Sequence, residues 1–339
     1  MSGDVLSDLL RAVRLRGALF YYIEGRDPWV TGAPPSSQLI PAIMPRAEHL
    51  IEFHGVAKGA CWATVEGLPP VKLEQGDVIL FPQGDSHTIA STPELKPERM
   101  DLGVFFAPPP PQLPFSLQAD ESGAMTAWLD GGGPVECQVV CGFLGCDARP
   151  FNPLLASLPR ILHLPGLASE ETSSWFGQFM RTAVEESNHR RPGGEAVLER
   201  VSEMMFVEAL RRYVRSLPAD QKGWLAGMRD PSVGRALALL HARPAEPWTS
   251  ERLGVEAGMS RSVLHERFVD LIGQPPMQYL ARWRMQLAVT KLRDSDAKLI
   301  EIALDVGYES EAAFSRAFKR ELGESPGAMR RKLRVPARK

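Results

Sequence analysis

Long apolar runs are missing from this chain of 339 residues, and no stretch approaches the roughly 20 apolar residues of a membrane-spanning helix. The sequence is therefore read as having no membrane segment. Cysteine is scarce as well. Four residues in this length, with no C-x2-C pair, argue against a disulfide scaffold. The N-terminal MSGDVLSDLLRAVRLRG is charged and amphipathic and lacks the apolar core and cleavage site of a secretory signal. These absences lead to the expectation of a cytoplasmic protein. An excess of charge of one sign is also absent, since the net charge is only -2. The distribution is more telling than the total. From Asp230 onward there are 19 basic and 14 acidic residues, which leaves 20 basic and 27 acidic before it. An acidic segment thus precedes a basic one, as expected where the second half meets nucleic acid.

The most punctuated stretch lies near the C-terminus, DVGYESEAAFSRAFKRELGESPGAMRR. A short helix over 300–306 should end at Gly307, because glycine takes the left-handed conformation without a steric penalty. Ser310 is placed to cap the next helix, which should run to about Leu322. Ala313, Phe314, Ala317, Phe318 and Leu322 recur at helical spacing and form its buried stripe. Glu311, Ala312, Ser315, Arg316, Lys319 and Arg320 occupy the other face. Gly323 stops the helix, and Ser325-Pro326 opens another.

The same plan occurs once before. Thr249 caps TSERLGVEA, with Leu253, Val255 and Ala257 expected inside. Gly258-Met259-Ser260 forms the turn. The next helix, SRSVLHERFVDLIG, should bury Val263, Leu264, the Arg267 stem, Phe268 and Leu271, and end at Gly273. A long helix from about Pro276 to Leu292 joins the two units. This last third of the chain resembles the DNA-binding domain of the AraC/XylS family of bacterial transcription regulators, which carries two helix-turn-helix units. The resemblance implies base contacts from Ser262, His265 and Glu266 in the first unit, with Arg261 flanking them as a contact to phosphate or base, and from Glu311, Ala312 and Arg316 in the second. Lys319 and Arg320, with Arg282 and Arg284, are expected to grip phosphates. It also implies promoter DNA and RNA polymerase as partners, and activation as the sign of regulation.

The N-terminal half reads differently. After an amphipathic helix over residues 2–16, ended by Gly17, short strands alternate with turns. Candidates are 19–22, 49–56, 60–66, 71–73, 77–81 and 103–107, a spacing that suggests an all-β sandwich or barrel. The segment GDVILFPQGDSH, from Gly76 to His87, fits G-x5-P-x-G-x2-H: a turn, a buried strand, and a second turn delivering a histidine. It resembles the second motif of the cupin family, whose β-barrels often bind metals or small molecules. The first cupin motif, H-x-H, is not intact, since His49 and His54 are five residues apart.

His54, Trp62 and His87 are candidates for an effector pocket. His87 with Cys137, Cys141 and Cys146 is a candidate metal or redox site, possible for zinc. Buried cysteines acting as small apolar residues are the competing reading. Residues 107–116 are proline-rich and Gly131–Pro134 forms a flexible turn. Two helices, about 171–188 and 195–216, are expected to form a homodimer interface or to pack internally.

The expected architecture is α+β and multidomain. A cupin-like β-barrel sensor spans 1–165, a helical dimerisation linker 166–222, and an all-α DNA-binding domain 223–339, with helix-turn-helix units at about 249–273 and 297–323. The expected function is sequence-specific transcription regulation, with a small molecule of unknown identity or a redox or metal state as the signal. The protein is not expected to be an enzyme; the alternative is a cupin-type metal enzyme fused to a DNA-binding domain.

Overall fold

A computed structural model describes residues 4–98, 115–119, 125–127, 135–166, 192–218 and 220–334. The strand expected at 103–107, most of the proline-rich stretch, the Gly131–Pro134 turn and the helix expected at about 171–188 lie outside the described residues. The chain divides into two compact units. One comprises Leu15–Cys146 and Leu158–Arg215; the other comprises Met1–Arg14, Asp147–Ser157 and Ser216–Lys339.

The first unit is built on strands β1 (Arg16–Gly25), β2 (Val30–Ala33), β3 (His49–Lys58), β4 (Ala60–Val65), β5 (Val71–Glu74) and β6 (Val78–Phe81). β7 (His87–Ala90), β8 (Phe115–Ala119), β9 (Met125–Ala127), β10 (Cys137–Cys146) and β11 (Leu162–Leu164) follow. Seven strands form one sheet in the order β11-β6-β3-β10-β1-β8-β9, and four form another in the order β2-β7-β4-β5. Pairing is antiparallel except between β1 and β8. Tyr21, Val56, Ile79, Val139 and Phe143 of the larger sheet share one buried core with Ala63, Val65, Leu73 and Ile89 of the smaller. The inner faces of two sheets therefore close on a common interior.

Gly17, expected to end the first helix, lies inside β1 instead. Its role is close approach: a Cβ there would sit 2.5 Å from the Glu199 carbonyl oxygen and 2.7 Å from the Ser202 Cβ. Those residues belong to the helix Gly194–Ser216, which the missing side chain lets lie against the strand. Its buried residues, Leu198, Ser202, Met205, Phe206, Ala209 and Leu210, recur at helical spacing. Val197 and Met204 remain exposed on it.

The second unit is helical and draws on separated parts of the sequence. The helices among the described residues are α1 (Val5–Ala12), α2 (Ser36–Ile43), α3 (Pro153–Ser157), α4 (Gly194–Ser216), α5 (Trp224–Arg229) and α6 (Pro231–Ala242). They continue with α7 (Ser250–Ala257), α8 (Arg261–Ile272), α9 (Pro276–Asp294), α10 (Leu299–Asp305), α11 (Glu311–Leu322) and α12 (Pro326–Arg334). Polar contacts tie α1 and residues 147–157 to α9. Gln286, almost wholly buried, donates to the Ala12 carbonyl at 2.9 Å and accepts from the Phe151 N–H at 3.1 Å. The buried Asp147 carboxylate receives Arg14 through two bonds of 3.0 Å and Arg293 through one of 2.6 Å. A buried carboxylate is tolerated when paired in this way.

The helix boundaries follow local chemistry. Thr249 accepts from the Arg252 N–H, Ser260 from Val263 and Ser310 from Ala313, so each helix of the two turn motifs except α10 begins at a hydroxyl cap. Gly258, Gly273, Gly307 and Gly323 all adopt positive φ at or just past helix ends. Three residues expected inside are not. Val255 is 78% exposed and Val263 48% exposed, and Arg267 is exposed with its guanidinium drawn to Asp230. In α7 the face set by Leu253, Gly254 and Ala257 is the buried one, and Val255 points away from it. In α8 the anchors are Leu264 and Phe268.

The core beneath α8 contains one titratable chain. The Trp224 indole N–H donates to the Tyr279 hydroxyl at 2.7 Å, and that hydroxyl shares a hydrogen bond of 2.7 Å with His241 Nε2. His241 stacks on Trp283 with ring centroids 4.1 Å apart. Burial lowers its pKa to about 3, so the ring is neutral in the folded state.

Two outcomes are expected. Gly258→Ala should cost about 1 kcal/mol, from left-handed strain alone, because an added Cβ meets nothing within 4 Å. Gly307→Ala should cost at least about 1 kcal/mol more, because its Cβ would fall 2.8 Å from Ala245 backbone atoms. Urea denaturation of both variants measures the difference. For His241, the unfolded chain takes up a proton below about pH 6.5 while the folded chain takes one up only near pH 3. Its contribution is therefore intact above pH 6.5 and lost as pH falls, by up to about 1.4 kcal/mol per pH unit. His241→Gln should flatten the fall in stability between pH 7 and pH 5; identical slopes for variant and parent would contradict this.

Candidate nucleic-acid interface and a buried polar site

Helices α8 and α11 are repeats of one design. Ser260 and Ser310 cap them, Leu264/Phe268 and Phe314/Phe318 anchor them, and Gly273 and Gly323 end them with φ of 80° and 79°. The anchors occupy one side, which leaves the other side of each helix exposed. Arg261, Ser262, His265 and Glu266 are exposed on α8, and Glu311, Ala312, Arg316, Lys319 and Arg320 on α11. In the repeat, Glu266 of α8 occupies the place of Arg316 in α11.

The cations differ in their engagement. Arg261 pairs with Glu251 at 2.7 Å and Arg320 with Glu321 at 3.1 Å. The side chains of Arg316 and Lys319 make no ion pair among the described residues. Arg267 is held by Asp230, whose carboxylate also caps α6. Arg284, expected to grip a phosphate, is half-buried and donates to the carbonyls of Pro244 and Glu246 at 2.8 Å each. It braces the loop before α7 and is not part of the exposed surface. Arg282 is exposed; it bonds Gln274 at 3.2 Å and lies over the Phe151 ring at 4.6 Å. Val263, expected on the buried face, instead joins the exposed face of α8. Its position one residue before the Leu264 anchor was the signal for that exposure.

In the β unit, polar side chains converge inside the apolar core. Glu52 and His54 alternate on β3 and point to the same face. Register places His54 opposite Cys141 on β10 and opposite Ile79 on β6. His87 enters from β7 in the other sheet and stacks on Phe81 with ring centroids 3.6 Å apart. His54 Nε2 lies 2.8 Å from His87 Nε2, and His54 Nδ1 lies 2.8 Å from Cys141 Sγ. His87 Nδ1 is 2.9 Å from the Asp85 carbonyl oxygen. The Tyr21 hydroxyl donates to Glu52 Oε1 at 3.3 Å. Glu52 Oε2 is buried with no hydrogen-bond partner among the described residues.

Proton positions follow from these partners. A carbonyl only accepts, so His87 carries its proton on Nδ1 and presents a bare Nε2. His54 must then donate from Nε2, which leaves its Nδ1 to accept the Cys141 thiol proton. Burial raises the Glu52 pKa to about 8, against the opposing effect of the Tyr21 hydrogen bond. Burial also lowers His87 to about 4 and pushes His54 well below its ordinary value, with His87 adding to the latter. The Cys141 thiol is driven well up, chiefly by burial and then by Glu52.

The residues nominated from sequence are thus partly assembled. His54 and His87 meet, and Cys141 touches His54. Cys137 lies on the inner face of β10 beside Cys61, whose thiol pKa is pushed up first by the hydrogen bond to Cys137 and then by burial. Cys146 belongs to the opposite face of β10, in register with His49. Trp62 alternates with the inward Cys61 and Ala63 and does not join His54 and His87. Glu52 and Tyr21 were missed; an acidic residue two positions before a nominated histidine on a strand was the available signal for the first.

A sequence profile described as Cupin matches residues 4–215, and one described as Helix-turn-helix domain matches residues 253–332. An AraC-like transcription regulator of Streptomyces lividans is 34% identical over 336 residues, covering 98% of this chain and 100% of that protein. The RCS-specific HTH-type transcriptional activator RclR of Escherichia coli is 30% identical over 198 residues, covering 58% and 68%. The solved DNA-binding domain of AdpA in complex with a target DNA is 34% identical over 31% of this chain and 94% of that one, with a TM-score of 0.30.

Tyr21→Phe should destabilise the β unit by about 1–2 kcal/mol, because it leaves a second Glu52 oxygen buried without a donor. Denaturant titration of the full chain checks this, and an unchanged midpoint would exclude the bond as a contributor.

Proposed function

Because this chain belongs to the AraC-like transcription regulators, with a cupin module followed by a helix-turn-helix module, we propose that it reads promoter DNA with α8 and α11 and takes its signal inside the cupin module. The carrying observation is the duplicated helix-turn-helix. Two helices with matching caps and anchors turn polar, solvent-exposed faces outward. An exposed helix of this kind enters the major groove, where base edges carry a distinct donor and acceptor pattern.

Arg316 is the chief base reader, because its guanidinium is exposed and unpaired among the described residues and can bond guanine O6 and N7 together. Ser262, His265 and Glu266 read the other half of the site, with Val263 available for a thymine methyl. Glu311 and Ala312 flank Arg316 at the start of α11. Lys319 and Arg320 bind the backbone, and Arg261 does so after leaving Glu251, an exposed pair worth about 0–1 kcal/mol. The name of the Escherichia coli relative supports activation, and contact with RNA polymerase is the corresponding route. Val197 and Met204, exposed on α4, support a homodimer through that helix. Among the described residues no helix is long and apolar enough to cross a membrane, consistent with action on DNA in the cytoplasm. The cupin module serves as a sensor and not as a catalyst, a reading supported by the regulators that match nearly the whole chain.

Arg316→Ala should weaken binding to the cognate promoter roughly tenfold or more, and binding to random DNA only slightly. Fluorescence anisotropy on both duplexes at one salt concentration decides. Equal losses would reduce Arg316 to a phosphate contact.

A further inference from the structure

We propose that Glu52, His54 and His87 form a binding site for one divalent first-row transition-metal ion inside the cupin module. This names the signal class for the sensor and so rests on the regulator reading above. Three observations carry it.

The first is convergence. Among the described residues, these three offer ligand atoms that all lie within 4.8 Å of one another, and all three side chains are buried. The two Nε2 atoms are 2.8 Å apart, His54 Nε2 is 3.7 Å from Glu52 Oε1, and His87 Nε2 is 3.9 Å from Glu52 Oε2. Ligands about 2.05 Å from a metal and 90° apart would lie about 2.9 Å from each other, so the imidazole pair already has the spacing of adjacent octahedral positions. Small side-chain rotations would bring the carboxylate to the same centre.

The second is the orphan oxygen. Glu52 Oε1 is held by Tyr21, whereas Oε2 has no hydrogen-bond partner among the described residues although it is wholly buried. A buried acceptor 3.9 Å from the His87 Nε2, on a carboxylate whose other oxygen lies 3.7 Å from the His54 Nε2, is satisfied by a cation. The third is the outer layer. His87 Nδ1 donates to the Asp85 carbonyl, a bond that fixes the ring with Nε2 bare and directed inward. Two imidazoles and one carboxylate are a donor set suited to ferrous iron, and equally acceptable to zinc and cobalt.

This set differs from the His87 and triple-cysteine site expected from sequence. Cysteine enters it only from behind. With metal on Nε2, His54 carries its proton on Nδ1 and donates it to Cys141 Sγ, the reverse of the metal-free bond. Loading of the site thus changes a hydrogen bond on β10, the strand that leads directly into Asp147 in the sequence.

The test is titration of chelator-treated, full-length protein with cobalt(II), followed by its visible absorption, with zinc(II) as competitor. One saturable equivalent is expected. Glu52→Gln and His87→Gln should each weaken binding at least 100-fold. Cys141→Ser should weaken it about tenfold, as for a residue that orients a ligand, and Cys137→Ser and Cys146→Ser should leave it unchanged. No saturable absorption in the parent protein overturns the site. So does absorption that survives in Glu52→Gln, a near-isosteric change that decides the matter even if His87→Gln fails to fold. Binding lost in Cys137→Ser or Cys146→Ser overturns it in favour of a thiolate site. Promoter binding by the same metal-free protein is measured in parallel. Its absence under every metal condition would count against the regulator reading without touching the metal site.

Discussion

The pairing of β3 with β10 is the constraint on which the β unit depends. β3 is flanked by β6 on one side and β10 on the other, and seven consecutive β3 residues, Leu50 to Val56, are buried. A strand covered on both faces has no solvent side to absorb a register error. A slip of one residue would turn Glu52 and His54 out of the interior and bring Phe53 in, because side chains alternate strictly. It would also separate His54 from Cys141. The turn that follows β3 restrains such a slip. Gly59 has φ of +75°, and its Cα approaches the Glu136 carbonyl so closely that a Cβ would sit 2.1 Å from that oxygen. A buried polar cluster inside an apolar core is costly unless each member is held in place. Here the register does the holding, and the turn locks the register.

The helical unit solves a different problem. Its helices are short, and seven or eight residues are marginal alone, so their stability comes from caps and packing. Hydroxyl caps and left-handed glycines define where the helices of each turn motif begin and end. α9 then serves as the common beam. Tyr279 and Trp283 on it complete the core beneath α8, while Met285, Val289 and Leu292 pack with Ile302, Phe314 and Phe318. Between these apolar rows Gln286 is buried, and it is satisfied only because α1 and residues 147–157 bring a carbonyl and an N–H to it.

Those parts of the structure with local causes were legible in the sequence. Thr249, Ser310, Gly273, Gly307 and Gly323 declare their caps and stops through side-chain chemistry and φ preference. The turn-strand-turn from Gly76 to His87 declared itself in the same way. Long-range facts were less accessible. Nothing within the sequence window around Glu52 reveals that its partners are Tyr21 and a histidine 35 residues further on, since that proximity is created by sheet pairing. The cysteines misled for the same reason: spacing along β10 correctly put Cys137 and Cys141 on one face, but it could not show that Cys141 meets His54 while Cys137 lies beside Cys61. Arg284 is the corresponding case in the helical unit. As a bare sequence feature it is a surface cation, yet the fold commits it to two backbone carbonyls.

The same separation explains how one scaffold, used twice, can read two different half-sites. Positions that build the helix-turn-helix are alike in α8 and α11: a serine cap, an apolar anchor four residues on, a phenylalanine four further, a terminal glycine. Positions that face outward are not. Arg261 is matched by Glu311, Ser262 by Ala312 and Glu266 by Arg316, so the charge pattern of one face is nearly inverted in the other. Packing requires the first set and is indifferent to the second, because exposed substitutions on a capped helix change stability little. The outward set is therefore free to be fixed by the bases it is proposed to meet. A carboxylate accepts from the cytosine amino group where a guanidinium donates to guanine. On the proposed reading, two halves of opposite character also make the protein directional on DNA. Turning it end for end would place Glu266 where Arg316 is proposed to bond, leaving an acceptor against acceptors and a donor without a partner.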